Sequence, residues 1–152
     1  MKRLVIYLLV LVTLSSCCSS PKLHSENTES YHLQVFSEDV EVRKDGNAYV
    51  VDVPSSDTTF ELQVRNCDGW WISSISIKNP SDNQFVPQYK DRKFYHGPLK
   101  RYDGWYEFEA NGTKANCHIY NNTSEKSREL KLCMTEGDFL AIIYIVQAVP
   151  SK

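Results

Sequence analysis

The sequence predicts a mostly β protein, folded as a two-sheet antiparallel sandwich of about seven to nine strands. Three observations carry that prediction. From Tyr31 onward, apolar residues recur with period two rather than 3.6, as half-buried strands require. Turn-forming clusters separate the runs at short intervals, and no amphipathic helical pattern is visible between them. Nine Tyr, six Phe and three Trp are many for 152 residues, and pleated surfaces favour such side chains.

The chain opens on a leader rather than a strand. Met1-Lys2-Arg3 is a short positive segment, and residues 4–14 are almost unbroken apolar sequence. That run is too short for a mature membrane span and has the length of a signal-peptide core. It ends in Leu14-Ser15-Ser16-Cys17, which resembles a bacterial lipobox. Small side chains let a peptidase approach the bond before Cys17, whose thiol then accepts diacylglycerol. A further acyl chain on the freed amine, such as palmitate, gives stable anchoring that one chain does not. Residues 1–16 are therefore expected to be a lipoprotein signal peptide. Residues 17–30 are polar and aperiodic, as a flexible tether would be. Residues 31–152 form the expected folded domain.

The strand runs follow in order. Leu33 and Val35 alternate with polar residues; so do Tyr49, Val51 and Val53, then Phe60, Leu62 and Val64. Ile75 and Ile77 share a parity with Trp71, which is accordingly expected in the core. Ala115, Cys117 and Ile119 alternate, as do Leu130, Leu132 and Met134. Residues 139–146 are apolar on both faces, so this last run is expected to be a central strand. Lys44-Asp45-Gly46-Asn47, Pro54-Ser55-Ser56-Asp57, Asn66-Cys67-Asp68-Gly69 and Glu136-Gly137-Asp138 read as turns. Residues 79–104 have little alternation and combine aromatic with basic side chains. They are expected to be a long insert, and unstructured inserts of that length are often functional.

Composition excludes several functions. Lys+Arg 17 against Asp+Glu 19 gives a net charge of -2; without Lys2 and Arg3 the 17 basic residues become 15. Nothing there attracts nucleic acid. The four His are scattered, and no Gly-x-Ser-x-Gly or His-Glu-x-x-His pattern occurs, so no catalytic residues are assigned and no enzyme is expected. Glu107 and Glu109, at alternate positions, resemble a hydrolytic carboxylate pair but suit a solvated strand face better. Cys67, Cys117 and Cys133 lack zinc spacing, so neither metal nor cofactor is expected. Cys117 shares parity with Ala115 and Ile119, Cys133 with Glu129 and Lys131; a buried Cys117 thiol is expected rather than a bridge. Asp57-Thr58-Thr59 resembles an O-glycosylation motif of exported Bacteroidetes proteins, with Thr58 as the acceptor.

The second half of the chain resembles the BACON domain, a Bacteroidetes-associated module often found N-terminal to carbohydrate-active enzymes. The resemblance lies in Phe60 to Asn66, Trp70-Trp71-Ile72, Trp105, Cys117 to Asn122, Arg128, Leu130-Lys131-Leu132, Gly137-Asp138 and a closing run ending at Gln147. It spans residues 49–149, and the long segment before Trp105 departs from it. The resemblance implies an immunoglobulin-like sandwich in a glycan-related setting. Sugar faces are apolar C–H surfaces that stack on flat aromatic rings. Trp70, Tyr89, Tyr95, Tyr102 and Trp105 are therefore expected to form a platform, with Arg92, Lys93 or Asn83 as donors. The expected protein is a non-catalytic lipoprotein of the bacterial cell envelope, held at the outer membrane by its lipid and binding or presenting glycan there. The alternative is an accessory subunit docking onto an outer-membrane uptake complex, because exposed aromatic patches mark protein partners as readily as sugars.

Overall fold

The computed structural model of the protein describes residues 33–90 and 99–151. Among them the chain forms eleven strands: Gln34–Phe36 (β1), Val42–Asp45 (β2), Ala48–Val53 (β3), Thr58–Arg65 (β4), Trp71–Lys78 (β5), Phe85–Lys90 (β6), Leu99–Asp103 (β7), Tyr106–Asn111 (β8), Lys114–Ile119 (β9), Arg128–Glu136 (β10) and Phe139–Gln147 (β11). They make a five-stranded sheet, ordered β1-β4-β9-β8-β7, and a six-stranded sheet, ordered β2-β3-β11-β10-β5-β6. The inner faces meet in one core containing Leu62, Ile72, Phe108, Leu132, Ile143 and Ile145, all fully buried. This is the immunoglobulin-like β-sandwich expected.

Period-two patterning places the strands as read. Phe60, Leu62 and Val64 of β4 point inward, as do Ala115, Cys117 and Ile119 of β9 and Leu130, Leu132 and Met134 of β10. The doubly apolar β11 lies between β3 and β10, in the interior of its sheet. Four hairpins close on two-residue turns whose first residue is glycine: Gly46, Gly104, Gly112 and Gly137, with φ from 55° to 64°. A glycine at that position sets the right-handed twist of the flanking strands, and a Cβ there would strain the turn.

Four expectations need correction. The strand count is eleven, not seven to nine. The sandwich is not wholly antiparallel, because β3 and β11 pair in parallel, Tyr49 beside Ile143 and Val53 beside Gln147. The described parts of residues 79–104 are not an unstructured insert. They carry β6 and β7, each the last strand of a different sheet. Edge strands bury little, which is why alternation is weak there, and Pro87 is tolerated because an edge leaves one row of donors unused.

The fourth correction concerns tryptophan. Ser74 pairs with Cys133 and Ile72 with Met134, so Ser73 is an extra residue in β5, a β-bulge. Its hydroxyl donates to the Cys133 carbonyl at 3.0 Å. The bulge flips side-chain parity, so Ile72 joins Ile75 inside and Trp71 moves to the outer side, opposite Thr135. Trp70, just before the strand, fills the core instead and is 3% exposed. Its backbone N–H donates to the Gly112 carbonyl at 3.0 Å, which fixes the preceding loop against the β8–β9 hairpin.

Candidate functional site

One end of the sandwich is closed by a polar clasp built from residues at strand ends. Gln147, fully buried at the end of β11, donates through Nε2 to the carbonyls of Tyr120 (2.9 Å) and Ser55 (3.4 Å). Its Oε1 accepts from Nε and Nη2 of Arg128 at 3.1 and 2.7 Å. Nη2 of Arg128 also donates to the Tyr120 carbonyl at 3.0 Å. Asn122 sits alongside; its Nδ2 donates to the carbonyls of Lys126 and Ala148, and its Oδ1 accepts from Ser124. The guanidinium of Arg128 lies 4.7 Å from the Trp105 ring centroid. Every polar atom of Gln147 and Asn122 is thus satisfied internally. The clasp holds structure, and its two amides are committed to it.

The outer face of the five-stranded sheet differs. Glu107 of β8, His118 of β9 and Thr59 of β4 stand in one cross-strand row, and the backbone of Tyr102 in β7 pairs with Glu107. Lys100, Glu109, Asn116 and Glu61 form the next. A shallow groove of about 120 Å³ runs between them, lined by Thr59, Glu107, Glu109, Asn116 and His118. Glu107 is ion-paired to Lys100 and accepts from the Tyr120 hydroxyl at 3.4 Å. The hydrogen bond from Lys100 holds the Glu107 carboxyl below its ordinary range, against a smaller opposing effect of desolvation. The His118 ring lies 2.7 Å from the Asp57 carboxylate and 4.1 Å, centroid to centroid, from the Tyr120 ring. Glu61 pairs with Lys114 at 2.8 Å. Ions and rings anchored to one another in this way leave the Glu109 carboxylate, the Asn116 amide and the Thr59 hydroxyl lining an open groove. Such a set donates to and accepts from several hydroxyls at once.

The aromatic platform expected from the sequence is not assembled as such. Trp70 is withdrawn as a ligand-binding candidate, because the bulge in β5 leaves it to fill the core. Trp105 is half-buried, edge-on to Tyr106 at 5.5 Å, and covered on one face by Arg128. Tyr89 pairs with Ile75 on the six-stranded sheet, whereas Tyr102 pairs with Glu107 on the other. Register therefore separates those two tyrosines into different sheets. Arg92, Lys93, Tyr95 and Cys17 lie outside the described residues. Thr58 begins β4, with its hydroxyl donating to the Ser56 carbonyl at 2.9 Å. Sequence reasoning passed over Asn116, His118 and Thr59, whose only signal was their outward parity beside buried neighbours.

No family model matches the chain, and no curated protein matches it. Among solved structures, the chain is similar to a protein from Bacteroides thetaiotaomicron determined by NMR. The two share 16% identity and a TM-score of 0.58, over 84% of this chain and 97% of that one. The twitchin kinase region of C. elegans also matches, at 13% identity and TM-score 0.36, over 77% of this chain and 16% of that one. The M1 domain of titin matches at 8% identity and TM-score 0.32, over 67% and 86% of the respective chains. The likeness to the Bacteroides protein is one of fold.

Proposed function

We propose that the protein is a non-catalytic, BACON-like module of a lipid-anchored cell-envelope protein, and that it binds glycan on the outer face of its five-stranded sheet. The observation that carries this reading is the groove between Glu109, Asn116, His118 and Thr59. It offers neutral and charged hydrogen-bonding groups at strand spacing on a rigid sheet, with Tyr102 in register across from Glu107. The BACON resemblance and the lipobox-like leader support the setting, at the outer membrane through Cys17. Glycoside hydrolysis by a carboxylate pair needs one acid kept protonated. Lys100 favours the ionised form of Glu107, which suits binding rather than acid catalysis.

Isothermal titration against a panel of neutral and acidic oligosaccharides tests the reading. At least one neutral oligosaccharide is expected to bind, and Asn116→Ala should weaken it about five-fold, as loss of one hydrogen bond does. Absence of heat across the panel would refute glycan binding. The alternative, docking onto an uptake complex, is favoured by one observation: Val86 on edge strand β6 is 46% exposed. Under that reading Val86→Glu, and not Asn116→Ala, abolishes co-purification with a membrane partner.

A further inference from the structure

The groove on the five-stranded sheet carries a charge pattern that narrows its ligand. Register sets Lys100 of β7 directly opposite Glu109 of β8. Its ammonium nevertheless reaches diagonally to Glu107, a span that long side chains cover between neighbouring strands. One cation thus faces two carboxylates, and Glu109 has no ion-pair partner of its own among the described residues. Asn116 lies next in the row, with Glu109 on one side and Glu61 on the other. Glu61 accepts from Lys114 and from the Gln63 amide, both at 2.8 Å. In the second row the Asp57 carboxylate holds the His118 ring. An incoming anion therefore meets carboxylates whose neighbouring ammonium groups are already committed. An incoming cation meets Glu109, half-buried in the groove, beside the exposed Asn116 amide.

We propose that the groove selects glycans bearing a free amine, such as amino-deoxy sugars without an N-acetyl group, and that Glu109 sets this preference. This selectivity rests on the glycan reading of the same groove. The ligand's ammonium pairs with Glu109 and donates to the side-chain oxygen of Asn116. Hydroxyls next to it on the ring bond to the Asn116 N–H and the Thr59 hydroxyl. At about 120 Å³ the groove takes the edge of one sugar ring, and the rest of the glycan lies over the open sheet. An N-acetylated ring keeps the shape and loses the charge. A uronic acid brings its own carboxylate against Glu109 and is repelled. One part-exposed ion pair supplies a preference of about five-fold and no more, and salt weakens it.

The test is isothermal titration of the full chain at low salt and pH 5.5 with three tetrasaccharides: of glucosamine, of N-acetylglucosamine and of galacturonic acid. The glucosamine form should bind about five-fold more tightly than the N-acetylated form, and the galacturonate should bind most weakly. Glu109→Gln should bring the first two affinities together while leaving that of the N-acetylated form unchanged, which also shows that the variant is folded. Glu125→Gln, the same charge change at an exposed site away from the groove, should leave the preference intact. Tetralysine, cationic but without hydroxyls, should bind less tightly than the glucosamine form. Equal affinity for the amine and N-acetyl forms would overturn the proposal. So would a preference that survives Glu109→Gln or disappears with Glu125→Gln, or tetralysine binding as tightly as the amino sugar. If these three sugars give no heat while another oligosaccharide binds, the selectivity fails and glycan binding stands. If no oligosaccharide binds, both fail.

Discussion

Replacing Trp70 and Trp71 in turn decides whether the bulge in β5 sets the core. Trp70 is 3% exposed, and its indole Nε1 has no hydrogen-bond partner among the described residues. Trp70→Ala removes a large buried ring, which costs about 3–5 kcal/mol. An orphaned buried donor is itself unfavourable by about 1–3 kcal/mol, and its removal brings the expected loss to the lower end of that range, about 3 kcal/mol. At about 4 °C per kcal/mol for a domain of this size, the midpoint should fall by about 12 °C. Trp70→Phe keeps most of the ring and deletes the orphaned donor, so it should cost about 1 kcal/mol. Trp71→Ala, on the outer side, should cost about 1 kcal/mol, through partial contacts. Thermal and urea unfolding followed by circular dichroism measures all three. If Trp71→Ala destabilises more than Trp70→Ala, the parity flip at Ser73 is wrong, and with it the assignment of the outer face.

Arg128→Ala breaks three hydrogen bonds to Gln147 and Tyr120 and leaves a buried amide oxygen unpaired, so urea unfolding should show a loss of about 2–3 kcal/mol. Arg128→Lys should recover less than half of it, because an ammonium cannot reproduce the planar fork. Glu107 has its folded pKa lowered by Lys100, so its contribution to stability is present above the ordinary value near 4.5 and is lost as pH falls through the lower folded value. Glu107→Gln should therefore flatten the acid side of a melting-temperature-against-pH curve, and 1 M salt should shrink the difference between the two proteins. Burial pushes the Cys117 thiol up, away from its reactive thiolate. Maleimide labelling at pH 8, mapped by mass spectrometry, should mark the half-buried Cys67 and Cys133 first and reach Cys117 only after denaturation.

Legibility in the sequence followed burial. β4, β9 and β10 each bury every second residue, so their parity could be read directly. β11 stood out because both of its faces are apolar. The bulge at Ser73 leaves no trace in composition, since a serine in a strand looks the same whether or not it has a partner across the sheet. One such residue was enough to exchange the roles of Trp70 and Trp71. β6 and β7 were hidden for a different reason. An edge strand has one neighbour and little core to cover, and β6 is mostly exposed, so periodicity has nothing to enforce. The alternation of Glu107 and Glu109 was visible, but the groove beside them is made by Asn116, His118 and Thr59 arriving from other strands. Cross-strand register depends on turn geometry and bulges, which a linear pattern does not encode.

The clasp explains why Asn122, Arg128 and Gln147 could suggest a family without indicating a site. β11 pairs in parallel with β3, so no hairpin joins them and no turn fixes their relative position. The β10–β11 hairpin sets the register of the last strand, but something other than a turn must tie its end to β3 and to the other sheet. Gln147 does so by bonding to Ser55, just after β3, and to Tyr120, just after β9. Those two carbonyls belong to segments following strands of opposite sheets, so a single amide ties both layers to the end of β11. Arg128 completes the arrangement from the start of β10, and the Ala148 N–H extends the pairing to the Val53 carbonyl at 3.0 Å. Buried polar groups of this kind are costly unless all are satisfied, so these identities are constrained by folding alone. The residues available to chemistry are the ones this constraint leaves free, on the outer faces, where a substitution costs the fold little. A strand end held by folding and outer faces open to substitution are thus consequences of the same architecture.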